Sequence, residues 1–162
     1  METDTTRDLS TVVKQLMARQ LYGVLATQGE SGVPHTSIIS FVSADDLGSV
    51  VFVTPRATRK YRFLTARPAV ALFVDNRRER ADELMQVIGI EVAGTARELT
   101  GSNRNRYRSL FLAKYPEMAE FADAEGSAFI HVAVSHYDVV DHFQHVMVLP
   151  VSEASPIDES VC

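Results

Sequence analysis

The sequence predicts a mainly β protein, an antiparallel β-barrel with inserted helices. Six or seven short segments rich in Val, Ile and Phe are separated by turns at the spacing of β-hairpins. Helical segments are inserted between a few of them, but they do not alternate with the strands as a doubly wound parallel sheet requires. The length of 162 residues suits a single domain with one main core.

The composition is that of an average globular domain, with 46% hydrophobic and 23% charged residues and a net charge of −5. An acidic chain is a poor nucleic-acid binder, because that affinity comes mainly from neutralising phosphates. No apolar stretch reaches the roughly 18–20 residues of a membrane span, and the first residues, METDTTRDLS, lack the basic and then apolar order of a signal peptide. The single cysteine, Cys162, excludes an internal disulfide framework and a Cys-based zinc site. We therefore expect a cytoplasmic protein with neither nucleic-acid nor membrane partners.

The first predicted element is a helix in residues 1–20 that packs on the barrel. Apolar residues at helical spacing form one stripe, and Asp8 or Ser10 is available as N-cap. The stripe consists of Leu9, Val12, Val13, Leu16 and Met17. We expect this helix to end by Gln20.

The predicted barrel spans residues 21–151 and begins with three strands. Residues 22–28 and 34–43 are expected to form a hairpin across a glycine-containing turn. Residues 50–54 (VVFVT) are nearly all β-branched or aromatic and predict the third strand.

The rest of the barrel mixes helices with longer strands. A short helix is expected before Pro68, which ends it, and a strand follows in residues 69–75. After a charged loop, residues 85–99 predict a long strand in which Gly89 and Gly94 mark bends or bulges. A second helix carries Tyr107, Leu110, Phe111 and Tyr115.

The last part of the predicted barrel, residues 127–151, holds two or three strands. The acidic segment 152–162 has few apolar residues and is expected to be a disordered tail.

A run of basic residues without any acidic one covers residues 54–67, and Thr54 and Thr58 lie within it. The basic residues are Arg56, Arg59, Lys60, Arg62 and Arg67. A helix that begins near Thr58 would direct its free N–H groups, a hydroxyl and two cations to one point, which is sufficient to bind a phosphate. A solvated face of an amphipathic helix accounts for the same charges.

The order of residues in this region resembles the phosphate-binding region of the pyridoxamine 5′-phosphate oxidase-like, FMN-binding split-barrel family. In that pattern a strand ends in Thr, and a Ser/Thr, an Arg and a Lys then precede a helix that closes before a Pro. The matching residues here are Thr54, Thr58, Arg59, Lys60 and Pro68. The preceding hairpin and the following long strand also fit, so that the resemblance covers residues 21–99.

The resemblance implies an antiparallel split β-barrel that forms a homodimer with FMN at the interface and acts as a flavin-dependent oxidoreductase on a small molecule. It assigns the phosphate to Thr58, Arg59 and Lys60, and the ribityl chain to Val53 and Thr54. It also implies that the strand segment Ser37, Ile38, Ile39 and Ser40 borders the isoalloxazine ring with its backbone.

Two departures from the family pattern concern the reaction. Ser37 stands near where the pyridoxamine phosphate oxidases proper carry an arginine. Their C-terminal segment also contributes a tryptophan and an arginine, whereas this chain has no Trp and no Arg after Ser127. We therefore expect the fold and the cofactor to carry over, but not the oxidation of pyridoxine or pyridoxamine 5′-phosphate.

Other functions compatible with the same barrel are a non-catalytic flavin-binding protein or electron carrier, a relative that uses deazaflavin or haem in the same groove, and an interaction module without a cofactor. The histidines bear on the haem alternative, because His131, His136, His142 and His145 lie close together in the sequence. Their segment predicts strands, which favours edge or interface positions for His136, His142 and His145 over a haem or metal site. His35, beside the proposed flavin strand, is a candidate for contact with a bound ligand.

Overall fold

The computed structural model describes residues 2–152, with side chains from Asp8 onward. Within this part of the chain, the strands form one antiparallel sheet. The strands are β1 (Gly23–Gln28), β2 (Pro34–Ile39), β3 (Phe41–Ser43), β4 (Ser49–Pro55), β5 (Ala69–Asp75), β6 (Gly89–Glu98), β7 (Ser127–Asp141) and β8 (His145–Pro150). The helices are α1 (Glu2–Arg19), α2 (Arg59–Ala66), α3 (Gly101–Lys114) and α4 (Ala119–Asp123).

The sheet curls into a split barrel, which confirms the predicted fold class. Its strand order is β2-β1-β5-β6-β7-β4-β3, and β8 pairs with β7 beside the end of β4. The strands β2 and β3 lie at opposite ends of this order, yet only Ser40 separates them in the chain. The predicted single strand over residues 34–43 is therefore wrong in one respect. It divides at Ser40, because one half pairs with β1 and the other with β4.

Two hydrophobic cores explain why β4 is apolar at nearly every position. Val50 and Phe52 point into the barrel, where they join the main core. Val51 and Val53 point outward into a second core, which packs α3 and α4 against the barrel. A strand that is buried on both faces shows a continuous apolar run instead of an alternating one.

The long strand predicted over residues 85–99 is shorter in the structure. It begins at Gly89, and a 3₁₀-helix over Ala81–Gln86 occupies the space before it. The predicted bulge is present, because the register with β7 shifts between Ala93 and Gly94. A side chain at Gly94 would collide with the carbonyl oxygen of Ala133 on β7, so this position requires glycine.

The first helix extends further than its apolar stripe predicts. It begins at Glu2, so Asp8 and Ser10 lie inside it and neither is the N-cap. The segment before Asp8 contains no Pro or Gly, and it continues the same helix. The predicted tail lies outside the described residues apart from Ser152, and Cys162 lies there as well.

Lys114 and Tyr115, at the end of α3, fix the end of α1 to the barrel. The Lys114 ammonium donates hydrogen bonds to the carbonyl oxygens of Met17, Gln20 and Phe41, at 3.1, 2.8 and 3.0 Å. The Tyr115 hydroxyl lies 2.7 Å from the Phe41 carbonyl oxygen and accepts from the Phe41 N–H at 3.2 Å. These contacts fix the backbone of Phe41 at the start of β3, and they therefore fix the bend at the neighbouring Ser40.

A candidate phosphate and cofactor site

The helix α2 begins directly after Thr58, as predicted, and Thr58 is its N-cap. The Thr58 hydroxyl accepts a hydrogen bond from the N–H of Tyr61 at 3.3 Å and donates to the carbonyl oxygen of Pro55 at 2.9 Å. It also lies 3.1 Å from the hydroxyl of Thr54, which is buried. The two hydroxyls thus fix the turn between β4 and α2, while the N–H groups of Arg59 and Lys60 face the open end of the helix.

The basic run divides into cations with partners and cations without them. Arg56 is paired with Glu98, Arg62 lies 3.3 Å from Glu30, and Arg67 donates to the Glu30 carbonyl oxygen at 2.8 Å. These three residues therefore have partners within the chain.

The side chains of Arg59 and Lys60 form no hydrogen bond or ion pair with any group in the described part of the chain. Lys60 is half-buried, and burial lowers the pKa of its ammonium below the ordinary value. An ammonium that loses water without gaining a partner is stabilised when an anion binds beside it. Both unpaired cations lie in the first turn of α2, where the helix dipole also favours an anion.

A pocket of about 310 Å³ lies between α2 and the β1–β2 turn, and Arg59, His35 and Phe63 line it. The rings of His35 and Phe63 meet edge to face, with 5.5 Å between their centroids. The His35 Nδ1 and the Ser37 hydroxyl are buried, and neither has a hydrogen-bond partner among the described residues. One unpaired cation, Arg59, and one unpaired buried polar atom, the His35 Nδ1, thus line the same pocket, which fits a bound polar ligand such as a phosphorylated cofactor.

The residues predicted to border the flavin have different environments. The β2 strand pairs with β1 alone in the described sheet, so its other edge is open. Ile38 is 72% exposed on the outer face, whereas Ile39 is buried in the main core. Val53 is buried in the second core. Ile39 and Val53 can therefore contact a ligand only through their backbones, while Ser40 lies at the bend.

Glu98 is a site residue that the sequence analysis did not identify. Its carboxylate accepts hydrogen bonds from the guanidinium of Arg56 and, at 2.5 Å, from the hydroxyl of Tyr61. Partial burial alone would raise the pKa of Glu98, but the hydrogen bonds from Arg56 and Tyr61 outweigh burial and lower it. Glu98 is 42 residues from Arg56 in the chain, and only the curled sheet brings the end of β6 to α2.

The histidines of β7 and β8 have partners within the chain. His131 is 2% exposed in the second core, and its Nε2 lies 2.8 Å from the Ser49 hydroxyl. His136 lies near Asp138, and His142 and His145 lie beside Asp141. Among residues 8–152, no three His, Cys, Asp or Glu side chains are grouped closely enough to hold a metal ion.

Burial makes His131 a source of pH-dependent stability, because it lowers the pKa of the imidazole to about 4. An unfolded imidazole has a pKa of about 6.5. The unfolded state therefore gains a proton between these values and the folded state does not, so stability falls as the pH drops from 6.5 towards 4. We expect this group to remove up to about 3 kcal/mol of unfolding free energy.

Urea unfolding of the parent and of His131→Gln across this pH range tests the expectation. The variant should show a shallower fall in stability at low pH than the parent. Parallel curves for the parent and His131→Gln would contradict the role given to His131.

An apolar strip crosses the outer face of the sheet beside the open edge of β2. The register places Val24 of β1 between Ile38 of β2 and Phe73 of β5. Phe73 is 42% exposed, and Val146 and Val148 on β8 add exposed apolar surface to the sheet. A contiguous apolar patch of this kind is typical of a protein interface.

No helix in the described part of the chain is both long and apolar enough to cross a membrane.

Comparison with known proteins agrees with this architecture. The family model of pyridoxamine 5′-phosphate oxidase matches residues 9–141. No curated protein matches the chain significantly.

Many solved structures share the fold. A heme-binding protein from Mycobacterium smegmatis superposes with a TM-score of 0.76 at 17% identity, over 87% of this chain and 57% of its own. This chain therefore spans little more than half of that protein. A FAD-binding protein from Mesorhizobium loti superposes with a TM-score of 0.65 at 14% identity, over 80% of this chain and 90% of its own. A protein from Clostridium acetobutylicum related to general stress protein 26 superposes with a TM-score of 0.68 at 14% identity, over 89% of this chain and 95% of its own. At these identities the similarity shows the fold alone.

Proposed function

Because the chain belongs to the pyridoxamine 5′-phosphate oxidase family, we propose that it binds FMN and acts as a flavin-dependent oxidoreductase on a small molecule. One observation carries the proposal. Of the five cations in the basic run, the two that the family pattern assigns to the phosphate, Arg59 and Lys60, are the two without a partner among the described residues. Lys60 is in addition half-buried, and a solvated helix face does not account for a cation that loses water without gaining a partner.

The proposed phosphate site combines three kinds of donor. Arg59 offers a planar guanidinium that can donate two parallel hydrogen bonds, and Lys60 offers a compact positive charge. The first-turn N–H groups of α2 add donors that the helix itself cannot use. Thr58 and Thr54 contribute by holding the turn that presents these groups.

The flavin ring is proposed to lie along the open edge of β2, against the backbone of residues 37–40. A bound flavin supplies hydride and electron transfer, and the protein supplies binding, orientation and electrostatics. The apolar strip beside this edge excludes water, and the backbone groups of β2 that β1 does not use can hydrogen-bond to a ring system. His35 can offer its unpaired Nδ1 to the same ligand.

The second copy of the chain is proposed to cover the apolar strip and to complete the flavin groove. Ile38 and Phe73 are large, exposed and adjacent across β1. A two-fold axis at this strip would bury both residues from each copy. The homodimer then closes the groove along β2, which one barrel leaves open on its outer side.

The substrate is proposed to be a small molecule other than pyridoxine or pyridoxamine 5′-phosphate. Ser37 stands near where the phosphate oxidases proper carry an arginine, and its hydroxyl faces inward and is buried. The substrate site is therefore expected to lack that positive charge.

A second candidate is haem binding, which the similarity to the heme-binding protein from Mycobacterium smegmatis favours. His142 and His145 have exposed side chains in the β7–β8 turn and offer imidazoles to such a ligand. By contrast, His131 on β7 and Ser49 on β4 are buried, and Tyr107 of α3 packs against the His131 ring.

The absorbance spectrum of the purified protein distinguishes these candidates. The full chain is incubated separately with FMN, a deazaflavin cofactor and haem, and free ligand is removed by gel filtration. We expect the absorbance bands of FMN to remain with the protein after gel filtration. Steady oxidation of a reduced pyridine nucleotide by the FMN-loaded protein would then indicate an oxidoreductase, and its absence an electron carrier. Retention of haem or deazaflavin but not FMN would contradict the proposal.

A further inference from the structure

Glu98, at the end of β6, contacts residues on both sides of the first residue of α2: Arg56 in the preceding turn and Tyr61 in the helix. Its Oε1 accepts from Arg56 Nε at 3.0 Å and from a second nitrogen of the same guanidinium, and its Oε2 accepts from the Tyr61 hydroxyl at 2.5 Å. Arg56 is further held by the carbonyl oxygens of Glu125 and Gly126, at 3.0 and 2.8 Å. The position and charge of Arg56 are therefore fixed before any ligand arrives.

This pair differs from the other acidic contact of the basic run. The side chain of Glu98 is only 24% exposed, whereas Arg62 and its partner Glu30 are both largely solvent-exposed. Exposed pairs are strongly screened and contribute little to the local field. Of the two carboxylates that pair with the basic run, Glu98 is therefore the less screened, and we expect it to affect the electrostatic potential around the first turn of α2 more than Glu30 does.

We infer that Glu98 sets the charge selectivity of this site: by offsetting Arg56, it leaves two cations of the basic run, Arg59 and Lys60, to match one phosphate group. This inference rests on the proposed phosphate site. A phosphate monoester carries a charge of about −1.5 to −2 at neutral pH. Two cations balance that charge, and a third would favour ligands with a second phosphate.

The interaction of a ligand with an added charge is proportional to the charge of the ligand. Removing the negative charge of Glu98 therefore strengthens the binding of pyrophosphate more than that of phosphate. A contribution of Glu98 to local structure alone would instead weaken both ligands together. The ratio of the two affinities thus separates charge selectivity from local stability.

The test is a chemical-shift titration of the full chain with inorganic phosphate and with inorganic pyrophosphate, without flavin. Glu98→Gln is the main variant, because the amide keeps an acceptor for Arg56 and removes only the charge. In this variant we expect phosphate affinity to rise about threefold and pyrophosphate affinity to rise about tenfold. These values follow from Coulomb's law in water if one negative charge is removed at about 10 Å from the bound anion. Arg56→Gln leaves Glu98 unbalanced and should shift the ratio in the opposite direction.

The matched control is Asp82→Asn, which removes a carboxylate from its pair with Arg80 on the loop between β5 and β6. It changes the net charge equally and should leave the ratio at the parent value. If Glu98→Gln binds phosphate but keeps the parent ratio, or weakens both ligands together, the inference is wrong while the phosphate site stands. If the parent binds neither anion, both the inference and the proposed phosphate site are wrong.

Discussion

Replacing Arg59 and Lys60 together with alanine is expected to weaken FMN binding by about 100-fold or more. Each cation should contribute about 1.5–3 kcal/mol to a charge-assisted, partly desolvated contact with the phosphate. A loss of about 1.4 kcal/mol corresponds to a factor of ten in affinity, so the two losses together reach that range. Fluorescence titration of the parent and of Arg59→Ala/Lys60→Ala with FMN measures the effect.

The matched control is Arg77→Ala/Arg78→Ala, which removes two exposed basic residues from the loop after β5. It changes the net charge by the same amount and should leave FMN affinity within about twofold, as exposed charges are screened. Riboflavin, which lacks the phosphate, should bind the parent and the Arg59/Lys60 variant equally. If that variant holds FMN as tightly as the parent, the basic run is only a solvated helix face.

An acidic residue in the apolar strip is expected to dissociate the proposed homodimer. In a two-fold interface Phe73→Asp places two uncompensated carboxylates in buried positions, and each costs at least about 2 kcal/mol. The dimer dissociation constant should then rise by about 100-fold or more. Sedimentation equilibrium at micromolar concentration reports the change as a shift towards the mass of one chain, 17.9 kDa.

Leu110→Asp provides the comparison for this variant, because Leu110 is a partly exposed apolar residue of α3 and lies outside the sheet face. It should leave the association unchanged. A parent protein that already sediments as a single chain would contradict the homodimer itself.

Much of the fold could be predicted from local patterns in the sequence. The VVFVT run, the glycine-containing turn after β1 and the Pro that follows α2 each act within a few residues, and each predicted element is present. Gly94 correctly predicts the bulge in β6, because a glycine inside a strand often marks a bulge or a close approach of another backbone segment.

The errors lie where contacts distant in the chain decide the structure. Nothing in the local sequence near Ser40 shows that the strand changes partners there, since both halves are extended and no turn residue such as Gly or Pro separates them. The predicted N-cap of α1 is wrong for a related reason. Asp8 and Ser10 are good capping residues, but the helix continues beyond them towards the N-terminus.

The candidate site likewise has one part that the local sequence predicts and another that depends on residues distant in the chain. Thr58 as N-cap and the two cations after it follow from spacing, because one helical turn brings them together. That Arg59 and Lys60 are unpaired while Arg56 is paired depends on Glu98, which arrives from β6. The buried pair of His131 and Ser49 likewise depends on the pairing of β4 with β7, which brings together residues 82 positions apart.

The most direct measurement of the central claim compares FMN with riboflavin on the unmodified full chain. Calorimetric titration gives both dissociation constants under the same buffer and salt conditions. If Arg59, Lys60 and the N-terminus of α2 form a phosphate site, FMN should bind about 100-fold more tightly than riboflavin or better, and the difference should shrink as salt is added. Equal affinities for the two flavins would contradict the account.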